Sequence, residues 1–194
     1  MKTSIDTKLV PRSFYQRYTV DVARDLLGKV LISRVGGFMV GGIITETEAY
    51  CFDDAACHAF RGKTERNKAL FGPVGHSYVY FIYGNHFCCN VVARLPDSPA
   101  GGVLIRALQP LYGIEVMQQR RHLKAITLLA NGPGKLTQAL GITRALEHVD
   151  LTQEGPLSIM QGIKIDSSLL HATPRIGISQ AQDLLWRFVV KQSE

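Results

Sequence analysis

Strand-like segments separated only by tight turns are the feature that most constrains the fold of this 194-residue chain. KVLISRV and FMVGGIITETEAY flank Gly36-Gly37 and predict one hairpin, and SYVYFIY (77–83) and HFCCNVVARL (86–95) flank Gly84-Asn85 and predict a second. Further strands are expected in VLIRALQP, LSIMQGIKI and PRIGIS. Because the strands come in runs with the helical patterns set apart, the sequence predicts an α+β fold: a mixed, mostly antiparallel curved sheet with flanking helices.

Helical patterns occur in a few separate places. They are residues 19–27, which end at Gly28; Leu111–His122, with Ile114 and Met117 on the inner face; and KLTQALGI, opened by the turn NGPGK at 131–135. Thr19 is a candidate N-cap for the first of them. The chain length suits one core, so a single domain over residues 1–194 is expected.

Charge and hydropathy restrict the class of partner. Lys and Arg number 22 against 16 acidic residues, which gives a net charge of +6 and suits a polyanion such as nucleic acid. Many basic proteins have the same balance without such a partner. With no apolar run of about 18 residues and no secretory signal, we expect neither a membrane span nor secretion. The expected location is cytoplasmic and nucleoid-associated in a bacterium, or nuclear in a eukaryote.

The cysteines suggest ordinary reduced thiols. Cys51, Cys57, Cys88 and Cys89 show no C-x-x-C spacing, and the adjacent pair should point to opposite faces of a strand. A zinc site that combines them with His58 is a less favoured alternative. No metal and no organic cofactor is expected.

Two carboxylates lie on one strand face in ITETEAY. Alternation places Glu46 and Glu48 on the same side, within about 7 Å. Such a pair can raise the pKa of one member and make it a general base. It can equally consist of a structural Glu that accepts hydrogen bonds from the backbone or from Arg. The residues alone leave both interpretations open.

Aromatic, basic and buried polar residues cluster around the same segment. The aromatic residues can belong to the core or form a platform on which bases stack. The basic residues of the loop can be solvated or can contact phosphates. The polar residues inside apolar strands imply a polar pocket. These sets are Tyr50, Tyr78, Tyr80, Phe81 and Tyr83; Arg61, Lys63, Arg66 and Lys68, preceded by His58; and Asn90 with Arg106.

Several blocks together give a specific resemblance. ITETEAYCFDDAACHAFRGKTERN is followed in order by YVYFIYGNHFCCNVV, GVLIRALQP, NGPGKLTQALGI and RIGI. In this order and spacing, over about Leu26 to Phe188, the chain resembles the alkyladenine, or methylpurine, DNA glycosylase family. It departs from the family pattern in a loop before His58 that is one residue shorter, in Asn85, and in DLLWRF, which lacks a proline.

The resemblance implies a role for each matching residue. Glu48 matches the general base, Arg106 a residue that helps to hold the attacking water, and Ile176 the position whose carbonyl completes the water site. The remaining matches concern DNA. They are Tyr50, His58 and Tyr80, which sandwich and hydrogen-bond the flipped base; Asn90, which crowds the amino group of guanine; Tyr83, the intercalating wedge; and Arg66 and Lys135, which contact phosphates.

The activity implied by the resemblance is a monofunctional DNA glycosylase of base excision repair. It would flip an alkylated or deaminated purine out of double-stranded DNA, hydrolyse the N-glycosidic bond with an activated water and leave an abasic site. A monomer without a cofactor is expected. Two alternatives differ in what they need: a non-catalytic binder of damaged nucleic acid needs no general base, and a hydrolase of free nucleosides needs no wedge.

Overall fold

The computed structural model describes residues 4–82, 84 and 86–191 and contains nine strands and four α-helices. The strands are β1 (Asp6–Leu9), β2 (Val30–Ser33), β3 (Val40–Cys51), β4 (Ser77–Ile82), β5 (His86–Val92), β6 (Gly101–Tyr112), β7 (Leu157–Gly162), β8 (Leu170–Thr173) and β9 (Arg187–Val190). The helices are α1 (Arg12–Tyr15), α2 (Thr19–Asp25), α3 (Ile114–Arg121) and α4 (Pro133–Leu140). The predicted α+β class is confirmed.

One open sheet contains all nine strands. Its order is β1-β7-β2-β3-β6-β5-β4, and β9 pairs with both β3 and β8. β3 is long enough to pair with β2 through its first residues and with β9 through Glu46–Glu48, while β6 pairs along its other edge. Both predicted hairpins are present as the antiparallel pairs β2–β3 and β4–β5. The Glu46–Glu48 segment therefore lies in the middle of the sheet, with a strand on each side.

The ladder between β3 and β6 is irregular where the carboxylates lie. Ile44 pairs with Leu108 and Thr47 with Ile105, but the register shifts on either side of Glu46. A shift of this kind bends the strand and changes the direction of a side chain. Thr47 faces away from the irregularity, and its hydroxyl donates to the Ala23 carbonyl of α2 at 2.7 Å. One face of β3 thus packs on a helix, and the other carries Glu46 and Glu48.

Three local predictions are wrong. Thr19 does not cap α2, because its hydroxyl donates to the Ala93 carbonyl. The third helix begins at Ile114 rather than Leu111, since β6 continues through Pro110 to pair Tyr112 with Gly41. PRIGIS (174–179) forms no strand. The first helix ends at Asp25, before a turn that runs to Gly28 (φ +86°), and Met117 is buried as predicted.

A large apolar core supports the sheet. It combines α2, α4 and the inward faces of the central strands, and its largest fully buried side chains include Tyr15, Leu26, Ile105 and Leu136. Within the described residues, no helix has the length and hydrophobicity to cross a membrane.

Candidate active site

A cavity of about 580 Å³ opens beside the central strands. Its size lies within the usual range of about 300–1,000 Å³ for small-molecule sites. Strands β4, β5 and β6 line one side, and segments without strand structure line the other. The lining residues that the sequence predicted as functional are Tyr50, His58, Tyr80, Asn90, Arg106, Lys135 and Ile176.

Glu48 lies directly behind the cavity lining, and its side chain is fully buried. Its Oε2 accepts hydrogen bonds from the Tyr50 hydroxyl at 2.8 Å and from Arg106 Nη1 at 3.1 Å. Its Oε1 accepts one from the Ile176 N–H at 2.7 Å. All three donors belong to residues that line the cavity. Because a carboxylate accepts about four hydrogen bonds, one position of Glu48 is left for a further donor such as water.

Glu46 completes a network of four charges. Arg106 donates through Nε to Glu46 Oε1 at 2.7 Å, and Arg187 of β9 donates to the same oxygen at 2.6 Å. Arg106 therefore bridges Glu46 and Glu48 through two different nitrogens. Both carboxylates accept hydrogen bonds from Arg, and Glu48 also accepts one from a backbone N–H, so the structural interpretation fits both. The general-base role of Glu48 stays a prediction.

Tyr50 combines an aromatic ring with a hydrogen bond to the carboxylate. Burial and the negative charge of Glu48 raise the pKa of Tyr50, so that its hydroxyl stays protonated and donates. The ring lines the cavity. A base that stacks on Tyr50 would therefore lie beside the groups that hold Glu48.

A second aromatic group lines the cavity and combines β4 with the loop that follows β3. The ring centroids of His58 and Tyr80 are 4.7 Å apart in an edge arrangement, and Tyr78 and Tyr80 are 5.2 Å apart. The Tyr78 hydroxyl lies 2.9 Å from His58 Nδ1, and burial raises the pKa of Tyr78. If the phenol donates to Nδ1, the remaining ring nitrogen, Nε2, carries the hydrogen of a neutral imidazole. The sequence placed Tyr78 in the aromatic set, on the same strand face as Tyr80, but the family resemblance assigned it no role.

Electrostatics favour the neutral form of His58. Burial, and then the positive charge of Arg66, lower its pKa. The loop backbone that carries the ring is held by the buried Asn67, whose side-chain nitrogen donates to the carbonyls of His58 (2.7 Å) and Gly62 (2.9 Å). No local sequence pattern points to Asn67, because its partners are set by the path of an irregular loop.

Asn90 lines the cavity from β5 and is also tied to the sheet. Its Nδ2 donates to the carbonyl of Tyr78, its partner on β4, at 3.0 Å. The side chain is thus in position to contact a bound base, and it also has a structural bond that joins two strands. Its predicted role against guanine stays a prediction.

Two of the predicted DNA-contact residues, Lys135 and Arg66, lie within the described part of the chain. Lys135, in the first turn of α4, lines the cavity and donates to Asn131 Oδ1 at 2.9 Å. Arg66 is exposed on the long loop, outside the lining. Tyr83, the predicted wedge, and Asn85 lie outside the described residues. The predicted carbonyl role of Ile176 is untested; its N–H contacts Glu48.

The four cysteines are free, as expected, and all four are buried. Cys88 lines the cavity, whereas Cys89 is completely buried in the core, so the adjacent pair does point to opposite faces. Burial raises the pKa of Cys57 to about 11 and that of Cys89 to about 12, which keeps both thiols protonated at neutral pH. Across residues 4–82, 84 and 86–191, no three His, Cys, Asp or Glu side chains are grouped to hold a metal ion.

Comparison with known proteins shows which family this chain is similar to. The family model described as methylpurine-DNA glycosylase matches residues 13–194. A protein of Carboxydothermus hydrogenoformans is 46% identical over 186 residues, covering 96% of this chain and 97% of its own length. Proteins of Koribacter versatilis (46% over 189 residues) and Agrobacterium fabrum (47% over 184) each cover 95% of the chain and 90% of their own length. All three carry the name "Putative 3-methyladenine DNA glycosylase".

Proposed function

The chain belongs to the methylpurine-DNA glycosylase family, and from this premise we propose that it excises alkylated and deaminated purines from double-stranded DNA. As a DNA glycosylase it is a hydrolase of N-glycosyl bonds, and DNA is its partner. The proposed lesions are 3-methyladenine, 7-methylguanine, hypoxanthine and ethenoadenine. The proposed product is an abasic site, with the strand left intact and the protein acting as a monomer.

One observation carries the proposal: a buried, triply hydrogen-bonded Glu48 carboxylate lies behind an aromatic-lined cavity. Excision by water requires a base beside the sugar and a compartment for the flipped purine. The fixed donors hold the carboxylate in one orientation. Its negative charge also stabilises the positive charge that develops at the deoxyribose C1′.

The proposed reaction is a displacement at C1′. The bond between C1′ and N9 of the purine breaks, and its electron pair leaves with the base. Water attacks C1′ and gives its proton to Glu48, while Arg106 and the Ile176 carbonyl orient that water. A base alkylated at N3 or N7 is cationic before cleavage and departs neutral, whereas hypoxanthine or ethenoadenine needs a proton as it leaves.

In this proposal, the residues that line the cavity select the base. Tyr50, His58 and Tyr80 would enclose the flipped base, and their electron-rich faces favour a cationic purine. The neutral His58 would present Nε2–H to an acceptor atom of the base. Tyr83 would fill the gap in the duplex, which offsets part of the few kcal/mol that flipping costs. Arg66 and Lys135 would contact phosphates.

Base release followed by chromatography tests the proposal. Duplexes that each carry one of the four lesions are incubated with the protein, beside an undamaged duplex and the free methylated nucleosides. We expect free base from damaged duplexes only. Binding without release would indicate a non-catalytic binder, and cleavage of free nucleosides would indicate a nucleoside hydrolase. A protein–DNA adduct trapped by borohydride would contradict water as the nucleophile, because it reports a Schiff base to Lys.

A further inference from the structure

A completely buried ion pair lies next to the cavity and outside its lining. The side chains of Arg175 and Asp54 have no exposed surface, and Arg175 Nη2 donates to Asp54 Oδ1 at 3.0 Å. Arg175 Nη1 donates to the other carboxylate oxygen and, at 2.8 Å, to the carbonyl of Ala49. Nη2 also lies 3.4 Å from the carbonyl of Ala181. One guanidinium thus connects residues 49–54, at the end of β3 and just after it, with residues 175–181 near the C-terminus.

The same guanidinium contacts two aromatic rings. Its Cζ lies 4.8 Å from the ring centroid of Tyr50 and 5.2 Å from that of Trp186. Since Tyr50 lines the cavity and Arg175 is buried outside it, the guanidinium supports the Tyr50 ring from behind. Residues 174–186 contain neither helix nor strand, so this side chain supplies contacts that a sheet ladder would otherwise provide.

Two of the three hydrogen bonds to Glu48 depend on residues that Arg175 contacts or precedes. Ile176, the next residue in the chain, donates its N–H to Oε1 at 2.7 Å. Tyr50, whose ring lies on the guanidinium, donates to Oε2 at 2.8 Å. A displacement of Arg175 would therefore move two donors of the carboxylate together.

We propose that the Arg175–Asp54 pair is a positioning unit that sets the orientation of the Glu48 carboxylate through Ile176 and Tyr50. This inference rests on the proposed function, in which Glu48 is the general base. Burial of two charges carries a desolvation cost that apolar residues of similar volume avoid, so stability alone is a weak reason for the pair. A planar guanidinium, in contrast, holds a carboxylate and backbone carbonyls at once in a fixed geometry, which a lysine does not.

The expected consequence is a loss of rate without a loss of binding. A displacement of about 1 Å at reacting groups can lower a rate about 100-fold. The residues proposed to contact DNA take no part in the hydrogen bonds of the pair: Arg66 is exposed on the long loop and Lys135 lies in α4. Asp54→Asn keeps the shape of the side chain and removes its charge. Arg175→Lys keeps the charge and removes the planar set of donors.

The test compares these two variants, and their double variant, with Asp150→Asn. Asp150 pairs with Arg12 away from the cavity, so its variant is a matched control for the loss of an Arg–Asp pair. Four quantities are measured: single-turnover release of 7-methylguanine, affinity for a duplex with an abasic-site analogue, the thermal midpoint and intrinsic fluorescence. Trp186 is the only tryptophan of the chain, so its emission reports the geometry around Arg175.

We expect both variants to release base about tenfold or more slowly, to bind the abasic duplex within about twofold of the native protein and to shift the Trp186 emission. The double variant should lose no more than the worse single variant, because both act on one unit. Release no slower than that of Asp150→Asn would overturn the proposal. So would a parallel fall of rate and affinity, or a failure of both single variants to fold. Absence of release by the native protein would instead refute the proposed function.

Discussion

The two sides of the cavity are built in different ways. Tyr80, Asn90 and Arg106 come from strands that are hydrogen-bonded to neighbours along their length, and the carboxylate of Glu48 lies behind them. His58 and Ile176 come from segments without regular structure. Those segments are held by single buried side chains, namely Asn67 under His58 and Arg175 beside Ile176. We call the first side the sheet wall and the second the loop wall.

This difference suggests that the two walls have different functions. Groups that must keep a fixed distance from the sugar gain from a rigid ladder, whereas groups that admit a base and follow the DNA backbone suit loops. The connection between the walls is short, because the Ile176 N–H of the loop wall contacts Glu48. The rate of base release should therefore respond most to changes in the sheet wall and in the residues that hold Ile176 against Glu48, and DNA affinity to changes in Arg66 and Lys135.

The largest effect on the free energy of unfolding is expected from Arg106→Met, a substitution in the sheet wall. It removes the cation that bridges Glu46 and Glu48 and leaves the buried Glu48 without its charged partner. Loss of one partner of a buried ion pair costs about 3–5 kcal/mol. Urea unfolding measures this, with Lys135→Met in α4 as the control. A change in the free energy of unfolding below about 1 kcal/mol for Arg106→Met would contradict the network.

Asn90→Ser tests whether the sheet wall also determines which bases are excised. If the Asn90 side chain crowds the 2-amino group of guanine, the smaller serine admits undamaged guanine, and its excision rises relative to that of 3-methyladenine. Because Asn90 also bonds the Tyr78 carbonyl, a purely structural role predicts a lower thermal midpoint and a parallel fall of all activities. Measuring the release of guanine and of 3-methyladenine by this variant distinguishes the two roles. An unchanged ratio of guanine to 3-methyladenine release would contradict the role in specificity.

The two walls also differ in how far the sequence predicted them. Alternation in ITETEAY and SYVYFIY predicted the strands and the shared face of Glu46 and Glu48, because period two is a local property. The loop wall has no period. PRIGIS was predicted as a strand, yet Arg175 there is bound to Asp54, 121 residues away. Assignment of His58 and Ile176 to the cavity came from the family resemblance, and no local pattern pointed to Asn67 or to the Arg175–Asp54 pair.

A smaller effect, on the salt dependence of DNA binding, is expected from the two cations that are proposed to contact phosphates. Arg66→Ala and Lys135→Ala should each lower the slope of log affinity against log salt by roughly one, because each phosphate contact releases a counterion. Lesion preference should stay the same. Binding titrations from low to physiological salt measure the slope, with Arg12→Ala as a control outside the cavity lining. An affinity that does not change with salt would contradict phosphate contacts by these residues.

The smallest effect is expected in the pH dependence of stability, through the protonation of His58. Burial and Arg66 lower its pKa, so the unfolded chain takes up a proton first as pH falls below about 6.5. Stability is lost from that pH down to the lower pKa of the folded state. Arg66→Ala removes the second cause and should raise the pKa of His58 part of the way back. An NMR titration measures it, with Arg61→Ala as the loop control; a lower pKa in Arg66→Ala would contradict the assignment.

The most direct test of the central claim compares Glu48→Gln with Glu46→Gln. Single-turnover release and affinity for an abasic-analogue duplex are measured on both, beside the native protein. Loss of a general base predicts about 100-fold or more slower release by Glu48→Gln, with DNA affinity retained. Glu46→Gln should lose less rate and mainly stability, because Glu46 acts through Arg106 and Arg187. An inactive Glu46→Gln beside an active Glu48→Gln would contradict the account.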